Sequence, residues 1–516
     1  MSKNCDLPAR RPRILRPPIV PLVLAAVAAW TLPAAADNSP NVLLICADDL
    51  AAYAVGAYGN ATIRTPNIDR LAAGGMLFRR AYCNSPVCTA SRQSFLTGRY
   101  PRTIGVTQLA TPLPEEETTL AELLSNAGYA TAALGKMHFN ADRRHGFDLR
   151  LDAPDHRRWL AERGPSPLPA EAAVQPAWRP FRDPARVWLN AACLPFAAVD
   201  ADMPSTYFAE RAGEIIADAG ERPFLLVVSF TEPHSPFHFP VEFAGRHVAE
   251  EFAAPPVSAA DEPEIPAIFR DLTDEEKRGI AAAYAVSVEF LDKNVGLVLD
   301  ALERAGQADN TLVVFLGDHG YLLGRHGRFE KHCSFEEAIR APLLVRFPGR
   351  VRAETETPAL VEFVDLAPTV LEFCGVDCPA NVQGRSLAPL LRGETAEHRP
   401  HVVVEYAPND EAAIRDARWK LVYQRGRRRR EDGYDPGTPL PGPTLRLYDT
   451  LADPDETSDL AADPAHAGEL NRLRDLLIEH LAATARQPES IPTTSDPLEL
   501  LDYLVQPRDV PSDAAP

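Results

Sequence analysis

The chain is short of basic residues for its size. It carries 53 Lys and Arg against 72 Asp and Glu, a formal charge of −19 at pH 7 over 516 residues. That balance excludes general attraction to nucleic-acid phosphates. It has no CxxC…CxxC pair and no His-rich tract, so nothing reads as a structural zinc site. No internal repeat is visible, and the apolar run Ile19–Leu32, broken by Pro21, is too short to span a bilayer comfortably. What is present is an apolar share of 45 % and a charged share of 24 %. Those shares set aside disordered, collagen-like and disulfide-scaffold chains. The 49 prolines, nearly twice the usual share of about 5 %, point to long structured loops. At roughly 150 residues per domain the length predicts two to three domains.

Residues 1–36 read as a secretory leader rather than as part of that fold. Lys3, Arg10, Arg11, Arg13 and Arg16 precede the apolar run, and Ala34, Ala35 and Ala36 follow it. Cleavage after Ala36 predicts a periplasmic or secreted protein with no membrane partner; the competing reading is an uncleaved tether. Export means an oxidising compartment. Loss of Cys5 leaves Cys46, Cys83, Cys88, Cys193, Cys333, Cys374 and Cys378, an odd set in which at least one is unpaired or otherwise used. Cys374 and Cys378 are near enough to close a short loop, but spacing does not decide it.

Beyond the leader, strands alternate with helices. Asn41–Ala47, Tyr129–Gly135, Pro223–Phe230, Thr311–Gly317 and Pro342–Phe347 read as buried strands. Helices are expected from Thr65-Pro66 to Gly74, over Leu120–Ala127, and from the capping box at Thr273–Glu276 to about Arg304. The pattern predicts an α/β fold with a mostly parallel sheet flanked by helices on both faces. Residues 151–200 are proline-rich and weakly periodic, as in an elaborate surface loop or a subdomain. After about residue 395 the texture changes to short alternating segments and an amphipathic helix near Glu469–Ala483. The expected division is a larger catalytic domain over 37–395, a smaller C-terminal α+β domain over 396–505, and a disordered tail over 506–516. The basic run Arg425–Arg430 reads as a solvated hairpin tip, or else as a contact for an acidic ligand.

Two of the strands end in acids, Asp48-Asp49 and Asp318-His319. Ligands of an open parallel sheet gather outside the carboxyl ends of its strands. Three carboxylates meeting there would repel one another unless a hard divalent cation sat among them, and oxygen donors suit calcium or magnesium. An acid at a strand end can equally cap the next helix. Between the two pairs lies NSPVCTASRQSFLTGR, residues 84–99. Cys88 falls at an expected helix N-terminus with Arg92 on the same face, and both features favour a tetrahedral anion. A tyrosine-phosphatase loop would need its Arg further on, where Ser94 stands, so the spacing argues against a phosphocysteine mechanism.

At these residues the chain resembles the formylglycine-dependent sulfatases, whose signature Cys88-Thr-Ala-Ser-Arg92 with Thr97-Gly98-Arg99 matches. Gly135-Lys136-Met137-His138, Glu232-Pro233-His234, and the block from Asp318-His319-Gly320 through Gly324, His326 and Gly327 to Lys331 match further family motifs in order. So does LYDTLADPDETSDL near the C-terminus, so the resemblance covers nearly the whole chain beyond the leader. GKMHF followed by HGF is similar to both the iduronate-2-sulfatase and choline-sulfatase branches. The resemblance implies an alkaline-phosphatase-like fold, a smaller C-terminal domain and a sulfuric ester hydrolase, which the leader would export. Its substrate would be a sulfated carbohydrate or another small sulfate ester. It further implies that a partner maturase oxidises Cys88 to formylglycine (3-oxoalanine). Ala90 stands where the commonest signature has Pro; the radical-type maturase tolerates Ala, whereas the oxygen-dependent one prefers Pro. Asp48, Asp49, Asp318 and His319, with oxidised Cys88, match the family's metal ligands. Calcium is preferred and magnesium is the alternative, although an imidazole at 319 is a softer donor than the carboxamide some members carry.

The roles follow from residue chemistry beside that resemblance. Arg92, Lys136 and Lys331 would surround the sulfate oxygens with fixed positive charge. His138 and His234 are the candidate proton carriers, since imidazole titrates near working pH. By likeness, one hydroxyl of the hydrated aldehyde attacks sulfur and the alcohol leaves, then the second hydroxyl collapses the hemiacetal and expels sulfate. His138 would assist that collapse, and His234 with Lys331 would serve the leaving oxygen. His326 reads as packing in a glycine-rich turn, His145 as a loop-stabilising hydrogen bonder and His238 as packing. Two competing functions share these residues: a phosphodiester or phosphonate monoester hydrolase, and an unmodified anion-binding protein such as a lectin. The acidic chain would repel a polyanion at long range, so either the local Arg and Lys cluster overcomes that repulsion or the substrate is a short fragment.

Overall fold

The computed structural model describes residues 39–426, 433–437 and 442–510. The leader over 1–36, Arg427–Arg430 of the basic run and residues 511–516 of the tail lie outside the described residues. The main sheet has eight strands: β1 (Asn41–Ala47), β2 (Met76–Tyr82), β3 (Ala130–Gly135), β4 (Leu149–Leu151), β5 (Phe224–Ser229), β6 (Thr311–Gly317), β7 (Leu343–Arg346) and β8 (Thr355–Glu362). Their spatial order is β4-β3-β5-β1-β6-β7-β2-β8. Only β7 runs antiparallel to its neighbours, so the sheet is mostly parallel, as expected. β1 is central. Leu43 and Ile45 enter one apolar cluster, whereas Val42, Leu44 and Cys46 enter the other, as the two-residue period of a strand requires.

The helices of seven residues or more are α1 (Pro66–Ala73), α2 (Cys88–Thr97), α3 (Leu120–Asn126), α4 (Ala153–Arg163), α5 (Pro204–Asp218), α6 (Asp274–Arg304), α7 (Leu366–Cys374), α8 (Ala467–Ala483) and α9 (Pro497–Leu504). Side chains of α1, α5 and α6 fill the first cluster, and those of α2, α3 and α7 fill the second. The capping box of α6 forms as read: Thr273 Oγ1 accepts from Glu276 N, and Glu276 Oε2 accepts from Thr273 N at 2.8 Å. Such a cap contributes about 1 kcal/mol.

A second, antiparallel sheet follows in the order β12-β11-β10-β9. Its strands are β9 (Val402–Tyr406), β10 (Glu411–Arg415), β11 (Trp419–Gln424) and β12 (Thr444–Asp449). Leu473, Leu477 and Leu481 of α8 and Leu501 and Leu504 of α9 cover it, forming a separate core with Ile414, Leu421 and Leu447.

Several expectations need correcting. Strands β2, β4 and β8 were not foreseen; Arg79 and Arg80 interrupt the apolar pattern of β2, and Arg79 pairs with Glu356 of β8 at 2.5 Å. Of the two readings of 151–200, the plain surface loop is set aside, since the stretch holds α4 and buries Trp188 in the core. Residues 506–510, expected to open a disordered tail, are docked: Val510 N donates to the Gly105 carbonyl at 2.9 Å, and Asp509 accepts from Gln108 N at 3.1 Å. All seven described cysteines are free; Cys374 is buried while Cys378 is exposed, and the short loop between them is not closed. His145 bonds through its carbonyl, which accepts from Thr119 Oγ1 at 2.7 Å, while its ring, unbonded at Nε2, packs on Phe139. No helix among the described residues is long and apolar enough to cross a membrane.

Candidate active site

Four adjacent parallel strands, β3-β5-β1-β6, deliver the site from their carboxyl ends. β1 is followed by Asp48 and Asp49, β6 by Asp318 and His319, β3 by Lys136 and His138, and β5 by Glu232 and His234. Asp49 takes a left-handed φ of 64°. Tyr284 of α6 fastens this turn, its hydroxyl donating to the Asp49 carbonyl at 2.7 Å and accepting from Ala51 N at 2.9 Å.

The nucleophile candidate arrives on a helix from the opposite face. Cys88 is the first residue of α2, where unpaired backbone N–H groups and the helix dipole favour negative charge. The helix ends at Gly98, whose φ of 68° is left-handed; a Cβ there would meet Val382 Cγ1 at 2.8 Å. The Thr97-Gly98-Arg99 triplet is therefore a helix stop, with Arg99 paired to Glu117. Arg92, one turn beyond Cys88, donates from Nε to Asp318 Oδ2 at 2.8 Å and from Nη1 to Ser229 Oγ.

Nine of the ten site residues expected from the sequence form one connected cluster, and His138 lies two residues beyond Lys136 of that cluster. The Cys88 thiol lies 3.3 Å from Asp48 Oδ1 and 3.1 Å from His319 Nε2. Lys136 Nζ donates to Asp48, and Lys331 Nζ donates to Asp49 Oδ1 at 2.7 Å. His234 Nε2 stands 3.8 Å from Asp49 Oδ2. His319 Nδ1 lies 3.1 Å from the Gly320 carbonyl; assigned as the donor there, it leaves Nε2 facing the cluster as a ligand would.

The electrostatics follow from burial and mutual proximity. Burial alone would raise Asp48, but Lys136, His234, Arg92 and Lys331 outweigh it and hold that carboxyl well below the usual range. Burial, reinforced by Asp48, pushes the Cys88 thiol well up, so as a plain cysteine it is a poor nucleophile. Burial and the Lys136 and Lys331 charges bring His234 down to about 4. His138 falls well below its usual value through burial, Lys136 and Arg92. This surrounding pushes both toward the neutral imidazole form.

The carboxylates of Asp48, Asp49 and Asp318 suit a hard divalent cation, with the imidazoles the softer members of the set. Ligand atoms of Asp48, Cys88, Asp318 and His319 lie within 4.8 Å of one another, as do those of Asp48, Asp49, Cys88 and His234. Asp49 Oδ2 is buried without a hydrogen-bond partner, an orphan that a cation would satisfy.

Residues not foreseen complete the arrangement. Ser229 joins Arg92 to the Lys136 carbonyl, Gln93 Nε2 donates to the His138 carbonyl at 2.9 Å, and Asn140 and Tyr284 hold neighbouring backbone. Ser229 alone had a visible signal, a polar residue closing the apolar run FLLVVS. His326 packs as expected, stacked on Phe335 with ring centroids 3.6 Å apart. His238 packs between Phe196 and Trp178.

The fold and this cluster define a hydrolase-type site at the carboxyl ends of a parallel sheet, with a group of side chains that could hold a cation, and comparison with known proteins gives the family. The sulfatase family model matches residues 40–376, and the model described as N-sulphoglucosamine sulphohydrolase, C-terminal, matches 324–483. A steryl-sulfatase of Mus musculus is 31 % identical over 81 % of this chain and 76 % of its own length. A choline-sulfatase of Rhizobium meliloti is 29 % identical over 86 % of this chain and 87 % of its own. A Δ4,5-hexuronate-2-O-sulfatase of Bacteroides thetaiotaomicron is 28 % identical over 90 % and 93 %. Among solved structures, a phosphonate monoester hydrolase of Agrobacterium radiobacter superposes with a TM-score of 0.73 at 24 % identity over 88 % of this chain and 98 % of its own, a likeness of fold. The chain belongs to the sulfatase family. It is a sulfuric ester hydrolase with the fold that the sequence resemblance implied.

Proposed function

We propose that this sulfatase is exported, acts on sulfated sugars, and works through a formylglycine made from Cys88 beside a calcium ion held by Asp48, Asp49, Asp318 and His319. The observation that carries the reading is the convergence on Cys88 of three cations, Arg92, Lys136 and Lys331, and three buried carboxylates, with Asp49 Oδ2 left unbonded. Export rests on the basic, apolar and small-residue order of residues 1–36. The sugar class rests on the hexuronate-2-O-sulfatase relative and the sulphoglucosamine-type C-terminal match.

Oxidised and hydrated, residue 88 supplies a hydroxyl nucleophile, and a bound cation supplies Lewis acidity toward the sulfate. The chain's own residues do the rest. Arg92, Lys136 and Lys331 hold positive charge where the sulfuryl oxygens gain negative charge. His138 keeps Nδ1 without a partner and takes up a proton, while His234 and Lys331 serve the leaving oxygen. The protein is to be made with a radical-type maturase, since Ala90 departs from the commonest signature. An aryl sulfate and an aryl phosphonate are then compared, followed by sulfated mono- and disaccharides, choline sulfate and a steryl sulfate. Faster turnover of the aryl sulfate and of a sugar sulfate supports the reading. A strong phosphonate preference would move the site to phosphonate monoester hydrolysis, and a preference for choline or steryl sulfate would overturn the sugar class.

A further inference from the structure

The chain beyond α9 returns to the active-site side and ends its described course on the loop 105–113. Asp509 meets that loop with its whole carboxylate. It accepts from Thr107 N at 3.0 and 3.1 Å, from Gln108 N at 3.1 Å, and from the hydroxyls of Thr107 and Thr111. A carboxylate has about four acceptor positions, so these bonds nearly saturate it. Neither family model reaches residue 509, since the matches end at 376 and 483.

The loop so held is bonded in turn to the catalytic segments. The Leu109 carbonyl accepts from Thr89 Oγ1 at 2.7 Å, one residue after Cys88, and from Asn140 Nδ2 at 2.7 Å. The Thr111 carbonyl accepts from Asn140 Nδ2 at 3.1 Å, and Leu113 N donates to the Phe139 carbonyl at 3.2 Å. Segment 136–140 needs such support. His138 and Asn140 have φ of 56° and 57°, a left-handed backbone that non-glycine residues keep only where their surroundings hold it. The same segment carries Lys136 on Asp48 and the His138 ring beside it.

We propose that Asp509 is a positioning residue for sulfate-ester hydrolysis, fixing loop 105–113 and through it the Lys136–Asn140 segment. The proposal rests on the roles given above to Lys136 and His138, and one arm of its test is independent of turnover. Asp509→Ala, Asp509→Asn and Tyr503→Phe are made in the full chain with the maturase. Tyr503→Phe removes only the nearby bond to Ser490 and serves as the control. Expected for Asp509→Ala is a kcat lowered about tenfold, the scale of a small misplacement, with KM within about twofold. Amide exchange is expected to quicken in 105–113 and in 136–140 together. Asp509→Asn, which keeps one acceptor oxygen, falls between, and Tyr503→Phe matches the wild type. Quicker exchange in 105–113 without a change in 136–140 overturns the proposal, as does an unchanged kcat in either Asp509 variant. An inactive wild type would instead fault the catalytic reading, and the exchange arm would still answer for Asp509.

Discussion

Two buried ionic clusters in this chain use the same kinds of side chain and differ in how far their bonding is finished. Around Asp365, Arg399 Nε donates to Oδ2 at 2.9 Å, His398 Nε2 lies 3.0 Å from the same oxygen, and Arg385 N donates to Oδ1 at 2.7 Å. Neighbouring Glu362 accepts from Tyr100 OH at 2.6 Å and from Val403 N at 2.8 Å. None of the buried side-chain atoms of these residues lacks a partner, and together they tie β8 to the start of the second sheet. Around Asp48, by contrast, Asp49 Oδ2, Arg92 Nη2 and His138 Nδ1 are all buried and unbonded. Asp365 and Asp48 are equally inaccessible. Burial and charge therefore do not distinguish a structural cluster from a functional one. What sets this site apart is that its unbonded atoms belong to residues grouped with possible cation ligands around Cys88, where a ligand would meet them.

The contrast can be broken by substitution on either side. Arg399→Ala strands Asp365 and Glu362 in the interior and is expected to cost about 3–5 kcal/mol in chemical unfolding, with turnover per folded molecule unchanged. A loss under about 1 kcal/mol would remove the structural half of the comparison. His234→Ala should do the reverse. Its kcat toward an aryl sulfate should fall about 10²–10³-fold, within the range for a lost proton carrier, while unfolding free energy shifts by less than about 1 kcal/mol. Comparable losses in both quantities would mean that the site is structural as well.

Metal removal sharpens the same point. If the carboxylates await a divalent cation, calcium at a hundred times its dissociation constant should add about 2.7 kcal/mol of stability. A chelator should abolish that gain in the wild type and make no difference in Asp49→Asn. Equal melting temperatures with and without chelator in the wild type would contradict the cation cradle.

The smallest expected effect concerns a finished pair far from the site. Hydrogen bonding to Glu289, against the opposing effect of burial and with help from Glu251, raises His247 above its ordinary value of 6.5. The contacts are 3.0 Å to Glu289 and 2.6 Å to Glu251, with Arg246 also on Glu289 at 3.3 Å. A raised folded value means the stabilisation is complete below about pH 6.5 and is lost as pH rises through that raised value. The stability gap between wild type and His247→Gln, from urea unfolding, should therefore be wider at pH 6 than at pH 9. A gap independent of pH would show that the imidazole is not charged in the fold.

Much of this was legible before any coordinates, where the signal is carried within one segment. NVLLICA and TLVVFLG announce buried strands by composition alone, and Thr273 with Glu276 announces a helix start; all three form with the bounds expected. Of the ten site residues named in matching motifs, the side chains of Asp48, Asp49, Cys88, Arg92, Lys136, His234, Asp318, His319 and Lys331 likewise meet in space. What stayed hidden depends on partners far along the chain. β8 opens with TETP, half of which faces water, and it becomes a strand only because β2 lies beside it. Tyr284 sits in an apolar helix with nothing local to mark it, yet it fastens Asp49 from 235 positions away. Asp509 fell in a tail expected to be disordered, and only the donors of loop 105–113 reveal its place.

The central claim is that residue 88 acts as an oxidised cysteine, and the most direct measurement is the mass of the tryptic peptide Ala81–Arg92. The protein should come from its native host or from co-expression with a radical-type maturase. The account predicts loss of sulfur and gain of an aldehyde at Cys88 in protein that turns over an aryl sulfate. An intact thiol at Cys88 in protein that hydrolyses the sulfate ester equally well would contradict it.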